Sequence, residues 1–519
     1  MMERLLALHE RYSLARSQSG FAPIVFCGAE LVGIPQNQVV DLIIPKLDRL
    51  LDSYPLMRCR VTDWWTRKPR WTLADTKWSA RDLVADPDHN LTIEEAIDVE
   101  HKYGQELIDF RNGPLLRVSV RQIRTSDGSS ATLLGVTVHH CLGDGRSTLG
   151  ILHALLADVA TFPIPGDISQ LPPSAEDSIP EYTLTPTQIA RLIFREVIGP
   201  NLPQFLRRFA LDDTAWPHGS HILRPPASCP VRRVGLSLSS STTSSLKRLG
   251  RAAGGGTIHA VLQACVGIAL IVATSTYPSA DVPTSLSISW PISLRKDELG
   301  HPQLTGNYVG GSTWHFERTA ECSRTLAALI AHMHTLSHDP ALLREAATEL
   351  GTLKFLPELD SPDRPLSDFT VVDNGVVEPA PTGWEHRLRK QAASGTPYRA
   401  SCEISNLGPL PRSPPVSASL AKGLRRVWFA QTASPVSGVF GVDLVGCPAG
   451  DGGVDLSALV SWREGVVPPE VGDAFARAVK VAVDVMCATV DGGKALDGNL
   501  TVGDVCDKVA LEVFGKSEK

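Results

Sequence analysis

Ala131-Thr132-Leu133-Leu134-Gly135-Val136-Thr137-Val138-His139-His140-Cys141-Leu142-Gly143-Asp144-Gly145 is an apolar run that ends in two histidines and a glycine-flanked aspartate. Its β-branched content and length read as a strand that stops at His140. Residues 115–123 alternate in the same way, and Ser126-Asp127-Gly128 between the two runs is a turn signal, so the pair is expected as a hairpin. From Arg146 the period becomes helical: Leu149, Leu152, Leu156 and Val159 share a face, with Ile151 and Leu155 beside it.

Alternation along the strand puts Leu134, Val136, Val138 and His140 on one face and His139 on the other. A histidine at a strand end projects into whatever cavity lies beyond, and partial desolvation there lowers its pKa and keeps it neutral, as a general base must be. Of the 15 histidines only His140 has an aspartate four residues on. Gly143 and Gly145 permit a tight turn. Asp144 has two readings: it orients His140 as in a triad, or it pairs with an arginine and holds the loop. Cys141 diverges from His140 on the strand and is not its partner.

Working outward, residues 39–54 are helical by period, and Pro45 should kink that helix or mark its start. Thr92 and Glu95 form a capping box that opens a second helix reaching about 110. Residues 163–226 are proline-rich, with a helical insert near 187–198, and read as a crossing segment. A strand at 234–238, a helix at 240–251 stopped by Gly254-Gly255-Gly256, and a buried helix opened by Thr257 follow. A short strand at 286–290, helices at 320–337 and 340–353, an irregular region at 357–415 and a long helix at 468–488 complete the pass. The expected organisation is a first subdomain at 1–165, a crossing segment at 166–228 and a second subdomain at 229–519.

Length and composition agree with two large globular units. The chain has 519 residues, 43% hydrophobic and 20% charged, which excludes a mainly disordered protein. A net charge of −6 supplies no field for nucleic acid or an anionic membrane. The 10 cysteines contain no Cys-x-x-Cys pair, so reduced thiols are expected and a zinc site built on one is not. His332, His334 and His338 read as a solvated helix face, since His334 is not followed by glutamate. No P-loop and no Gly-x-Ser-x-Gly elbow is present. No apolar run reaches a membrane span, and neither a secretory signal nor a C-terminal address is read. A cytoplasmic monomer without metal or bound cofactor is expected.

His139-His140-x-x-x-Asp144-Gly145 resembles the HHxxxDG signature of the CoA-dependent acyltransferase superfamily, which includes chloramphenicol acetyltransferase, plant BAHD enzymes, nonribosomal condensation domains and fungal alcohol acetyltransferases. Residues 10–16 with Gly20-Phe21, the run Gly113-Pro114-Leu115, residues 171–177, Thr257–Ala264, Pro291–Arg295, Gly306–Gly310 and Ser405–Gly408 are similar in the same order. Where plant enzymes carry DFGWG, this chain has Val439-Phe440-Gly441-Val442, which favours the fungal type.

The resemblance implies an α/β fold of two chloramphenicol-acetyltransferase-like domains, each a mixed sheet flanked by helices, with a tunnel between them. It implies that His140 is the base within that tunnel, and that Asp144 turns away to pair with Arg295, with Gly145 structural beside them. Acyl-CoA, with acetyl the expected acyl group, would be co-substrate, and a small apolar alcohol or secondary metabolite the acceptor. Ser405 is a candidate oxyanion donor, and Arg425 and Arg426 are candidates for the CoA phosphates. The rivals are a condensation-type enzyme using a carrier-protein thioester or an amine acceptor, and a non-catalytic metabolite-binding homologue.

Overall fold

The computed structural model describes residues 2–515 apart from 86–89, 126, 159–169, 179–183, 195–197, 199–201, 203–215, 218–220, 280, 296–303, 357, 359–363, 373–374 and 492–494. Val159, Ser126 and about half of the proline-rich crossing segment therefore lie outside the described residues.

Helix α1 (Leu8–Ser17) leads into strand β1 (Ile24–Val32) and helix α2 (Gln36–Ser53). Strand β2 (Val84–Ala85) and helix α3 (Ile93–Leu107) precede the hairpin of β3 (Leu116–Arg124) and β4 (Ser130–His139), after which α4 (Gly145–Leu156) begins. The second half supplies β5 (Val231–Leu238), α5 (Ser240–Ala252), α6 (Ile258–Thr274), β6 (Ser285–Ser293) and β7 (Val309–Glu317). It continues through α7 (Leu326–His338), α8 (Gly383–Ala392), β8 (Ala400–Pro409), β9 (Leu424–Gln431), β10 (Gly438–Pro448), β11 (Val454–Arg463) and α9 (Pro469–Ala488).

These strands make two mixed sheets, beside a small three-stranded and a two-stranded one. One runs β9-β1-β4-β3-β2 and the other β7-β6-β8-β10-β11-β5. The β3–β4 hairpin is antiparallel with Leu116 opposite Val138 and Ile123 opposite Ala131, as the alternation predicts. In the second sheet β8 lies parallel to both β6 and β10. Two large apolar cores back the sheets. Ile43, Leu47, Val136, Leu152 and Leu155 anchor the first; Leu249, Val261, Ile268, Phe440 and Phe475 anchor the second. Helix α6 is buried along almost its whole length, which is why its sequence is apolar all round.

Four local expectations need correction. Helix α2 starts at Gln36 and continues through Pro45, so Pro45 does not mark its start. The region at 320–337 is two helices, Arg318–Cys322 and α7, because the Thr325 hydroxyl caps a new start on Ala328 N–H. Residues 357–415 are not irregular throughout: they hold α8 and β8, a central strand. Lastly, the sheets do not divide where the sequence suggests, since β9 comes from the second half and pairs antiparallel with β1 in the first sheet.

Candidate active site

Three pieces of chain meet at the site: the end of β4, the first turn of α4, and residues 304–308 before β7. Strand β4 stops at His139, so His140 begins the turn into α4, with its N–H donating to Pro23 O at 2.8 Å. Asp144 is the N-cap of α4, its Oδ1 accepting from Ser147 N–H at 2.9 Å. Its Oδ2 accepts from Arg295 Nη1 at 2.5 Å and from Tyr308 N–H at 3.1 Å. Burial alone would push this carboxyl up in pKa; Arg295 and the hydrogen bonds from Ser147 and Tyr308 outweigh burial and hold it below the ordinary value. Asp144 makes no hydrogen bond to His140, so of its two readings the arginine pairing is the one present.

Arg295 also donates to Ser147 Oγ at 2.6 Å and to Gly306 O at 3.2 Å, and its guanidinium lies 5.2 Å from the centre of the Tyr308 ring. The two glycines of the signature serve close packing. A Cβ on Gly143 would fall 2.6 Å from Ser147 Cβ, and one on Gly145 would fall 2.6 Å from Leu407 Cδ2; neither has a left-handed backbone. That corrects the tight-turn reading. The left-handed position is Gly306, at φ +94°, whose N–H donates to Leu142 O at 2.6 Å and delivers Asn307 to the site.

Asn307 decides which nitrogen of His140 is free. Its Nδ2 donates to His140 O at 2.7 Å and to Cys141 O at 3.2 Å, which turns Oδ1 toward the imidazole. Oδ1 lies 2.8 Å from His140 Nδ1 and can only accept, so Nδ1 carries the proton and Nε2 the lone pair. Among the described residues Nε2 has no hydrogen-bond partner. Burial, and then the positive charge of Arg16, lower the His140 pKa below its ordinary 6.5, against the smaller opposing influence of Asp144 and Asn307. The ring is neutral at physiological pH. His9, on α1, stands edge-on to it with ring centres 5.2 Å apart, and burial followed by the His140 charge brings its own pKa down to about 3.

His139 is employed quite differently. Its Nδ1 accepts from Cys141 N–H at 3.1 Å, so Nε2 bears the proton and donates to Ser17 Oγ at 2.6 Å; that hydroxyl passes on to Ser13 O at 3.2 Å. Both nitrogens are spent, Nδ1 on the turn after β4 and Nε2 on holding α1 against it.

Ser405 lies in β8 opposite Asp443, almost fully buried, and among the described residues its hydroxyl has no hydrogen-bond partner. Arg425 and Arg426 lie on β9. Arg425 pairs with Asp127 at 2.9 Å and approaches Glu30 at 3.8 Å; Arg426 approaches Glu30 at 4.0 Å. Their charges are thus engaged within the protein. The rings of His334 and His338 lie tilted with centres 4.2 Å apart, while His332 lies against Trp314, and among the described residues no group of three or more metal-ligating side chains could hold an ion. Among those residues, too, no helix is long and apolar enough to cross a membrane. Sequence reasoning assigned no role to His9, Arg16 or Asn307. The i, i+7 spacing of His9 and Arg16 was the available signal for the first two; Asn307 stood in a segment already picked out, between two residues that drew no chemistry.

No protein-family model matches the sequence, and no curated protein does. Solved structures do. The chain is similar to the trichothecene 15-O-acetyltransferase of Fusarium sporotrichioides, at 11% identity and TM-score 0.61 over 94% of each chain. It is similar to the condensation domain of the monacolin K polyketide synthase MokA, at 12% identity and TM-score 0.58 over 97% of this chain and 99% of that one. It is also similar to the epimerization domain of the third module of tyrocidine synthetase B, at 13% identity and TM-score 0.51 over 94% and 99%. At these identities the likeness is one of fold: the chain has a two-lobed, chloramphenicol-acetyltransferase-like α/β architecture.

Proposed function

We propose that the protein is an O-acyltransferase that moves an acyl group, acetyl in the simplest case, from CoA to the hydroxyl of a small secondary metabolite, with His140 as general base in a passage between the lobes. The observation that carries this reading is the Asn307 amide, which leaves His140 Nε2 unprotonated and unpartnered. Nε2 takes the hydroxyl proton as the oxygen attacks the thioester carbonyl. The imidazolium so formed is opposed by Arg16 and favoured by Asp144 and Asn307 Oδ1. The Ser405 hydroxyl is available to donate to the tetrahedral oxyanion. When that intermediate collapses, the C–S bond breaks and His140 returns its proton to the CoA thiolate, so no acyl-enzyme forms. Arg425 and Arg426, partly exposed beside Glu30, remain the candidates for the CoA phosphates.

The test is release of free CoA thiol with a panel of alcohols. His140→Ala should lower turnover by about 10²–10⁴-fold, and near-wild-type turnover in that variant would end the reading. The likeness to a condensation domain favours a second reading, in which the donor is a carrier-protein thioester and the acceptor a hydroxyl or an amine. Product formation from acylated carrier but not from acyl-CoA would select it. Loss of every transfer reaction, with metabolite binding retained, would leave a non-catalytic homologue.

A further inference from the structure

Helix α1 turns three faces in three directions. Leu8, Tyr12 and Ala15 pack with α8 around Trp384 and Leu388. Glu10, Leu14 and Ser17 face the first lobe, where Glu10 accepts from Trp71 Nε1 at 2.9 Å and Ser17 from His139. The remaining face repeats at i, i+4, i+7 as His9, Ser13 and Arg16, one stripe along the helix. One end of the stripe meets the His140 ring.

Each of these three residues has a polar atom shut away from solvent with no hydrogen-bond partner among the described residues: His9 Nδ1, Ser13 Oγ and Arg16 Nε. Among the described residues Arg16 has no ion-pair partner at all. A guanidinium left in this condition is costly, and burial pulls its pKa below the ordinary value. Its field reaches His139, His140 and Cys141. Glu403 and Arg399 act on it with opposite signs, and Glu403, which accepts a hydrogen bond from the Ser437 hydroxyl, makes no ion pair with it. The stripe therefore offers a charged donor, a hydroxyl and an imidazole, with no anion in ion-pair contact among the described residues.

We propose that Arg16 holds a carboxylate of one of the substrates, with Ser13 as a neighbouring donor, so that the enzyme works on an acidic partner: a hydroxy acid as acceptor or a dicarboxylic acyl thioester as donor. The guanidinium fork suits a carboxylate, and binding it there removes the cost of the bare cation. The inference rests on the acyl-transfer reading and names a substrate class for it.

Ligand-observed NMR separates the two sources without requiring turnover. One probe pair is 3-hydroxyoctanoate and its methyl ester; the other is malonyl-CoA and acetyl-CoA. Wild-type protein should favour the carboxylate-bearing member of one pair by about tenfold or more, the first pair marking the acceptor and the second the donor. Arg16→Gln should abolish that preference and Arg16→Lys should retain part of it. Equal binding within both pairs overturns the proposal, as does a preference that survives Arg16→Gln. If Arg16→Gln does not fold, an undiminished preference in Arg16→Lys overturns it, because the bidentate fork is lost there. Failure of the acyl-transfer reading is seen separately, as normal CoA release from His140→Ala.

Discussion

His139 and His140 are consecutive, chemically identical and both buried, yet one is structural and the other has the form of a base. Strand alternation sends the rings to different neighbours. His139 finds two partners, an amide N–H and a serine hydroxyl, that use up both nitrogens. His140 finds one, Asn307, that uses only Nδ1. Burial lowers both pKa values, so desolvation is not what distinguishes them. The number of engaged nitrogens is. The candidate base is the histidine that the fold leaves half-satisfied.

The largest break in this comparison is His140→Ala, with the loss of turnover given above and little change in stability. His139→Ala should do the reverse. Two buried hydrogen bonds go, at a cost of about 1–3 kcal/mol in urea unfolding, while turnover per folded molecule falls far less. The pH dependence sharpens this. The folded pKa of His139 is about 3 against an ordinary 6.5, so its contribution is complete above 6.5 and is lost as pH falls toward 3. The stability gap between wild type and His139→Ala should therefore narrow between pH 7.5 and 4.5.

Asn307→Ala frees the tautomer and should lower kcat/KM by about tenfold, the value of one hydrogen bond. If kcat/KM is unchanged, the amide does not set the tautomer. The smallest expected effect is on the pH profile. His140 must be neutral to act, so activity is lost as pH falls through its lowered pKa. Removing the Arg16 charge in Arg16→Gln should move that acid limb upward, by less than about one unit; an unmoved limb would mean that Arg16 does not act on His140.

The strand, the turn and the helix around His140 were legible because their signals are local: alternation, then a glycine-flanked loop, then a 3.6-residue period. The Asp144–Arg295 pair was legible only through resemblance, since 151 residues separate the two. Asn307 is 167 residues from His140 and contributes one side chain from a loop, so neither periodicity nor propensity marks it. Strand β8 was hidden by its own composition. Ser401, Glu403 and Ser405 alternate with only three small or apolar residues before Asn406 breaks the pattern, and the Ser401 and Glu403 side chains find partners in Ser287 and Ser437 inside the fold. Strand β9 reads as a strand once seen, but nothing in eight residues states which sheet it joins.

That last strand has a consequence for how the molecule is made. On a ribosome, the first sheet must wait for residue 431 before its outermost member exists. Until then β1 presents its backbone donors and acceptors, flanked by Val25, Phe26 and Leu31, as an open margin ready to pair with another chain. The nascent N-terminal lobe is thus an unfinished object for most of its synthesis, and the late strand is its seal.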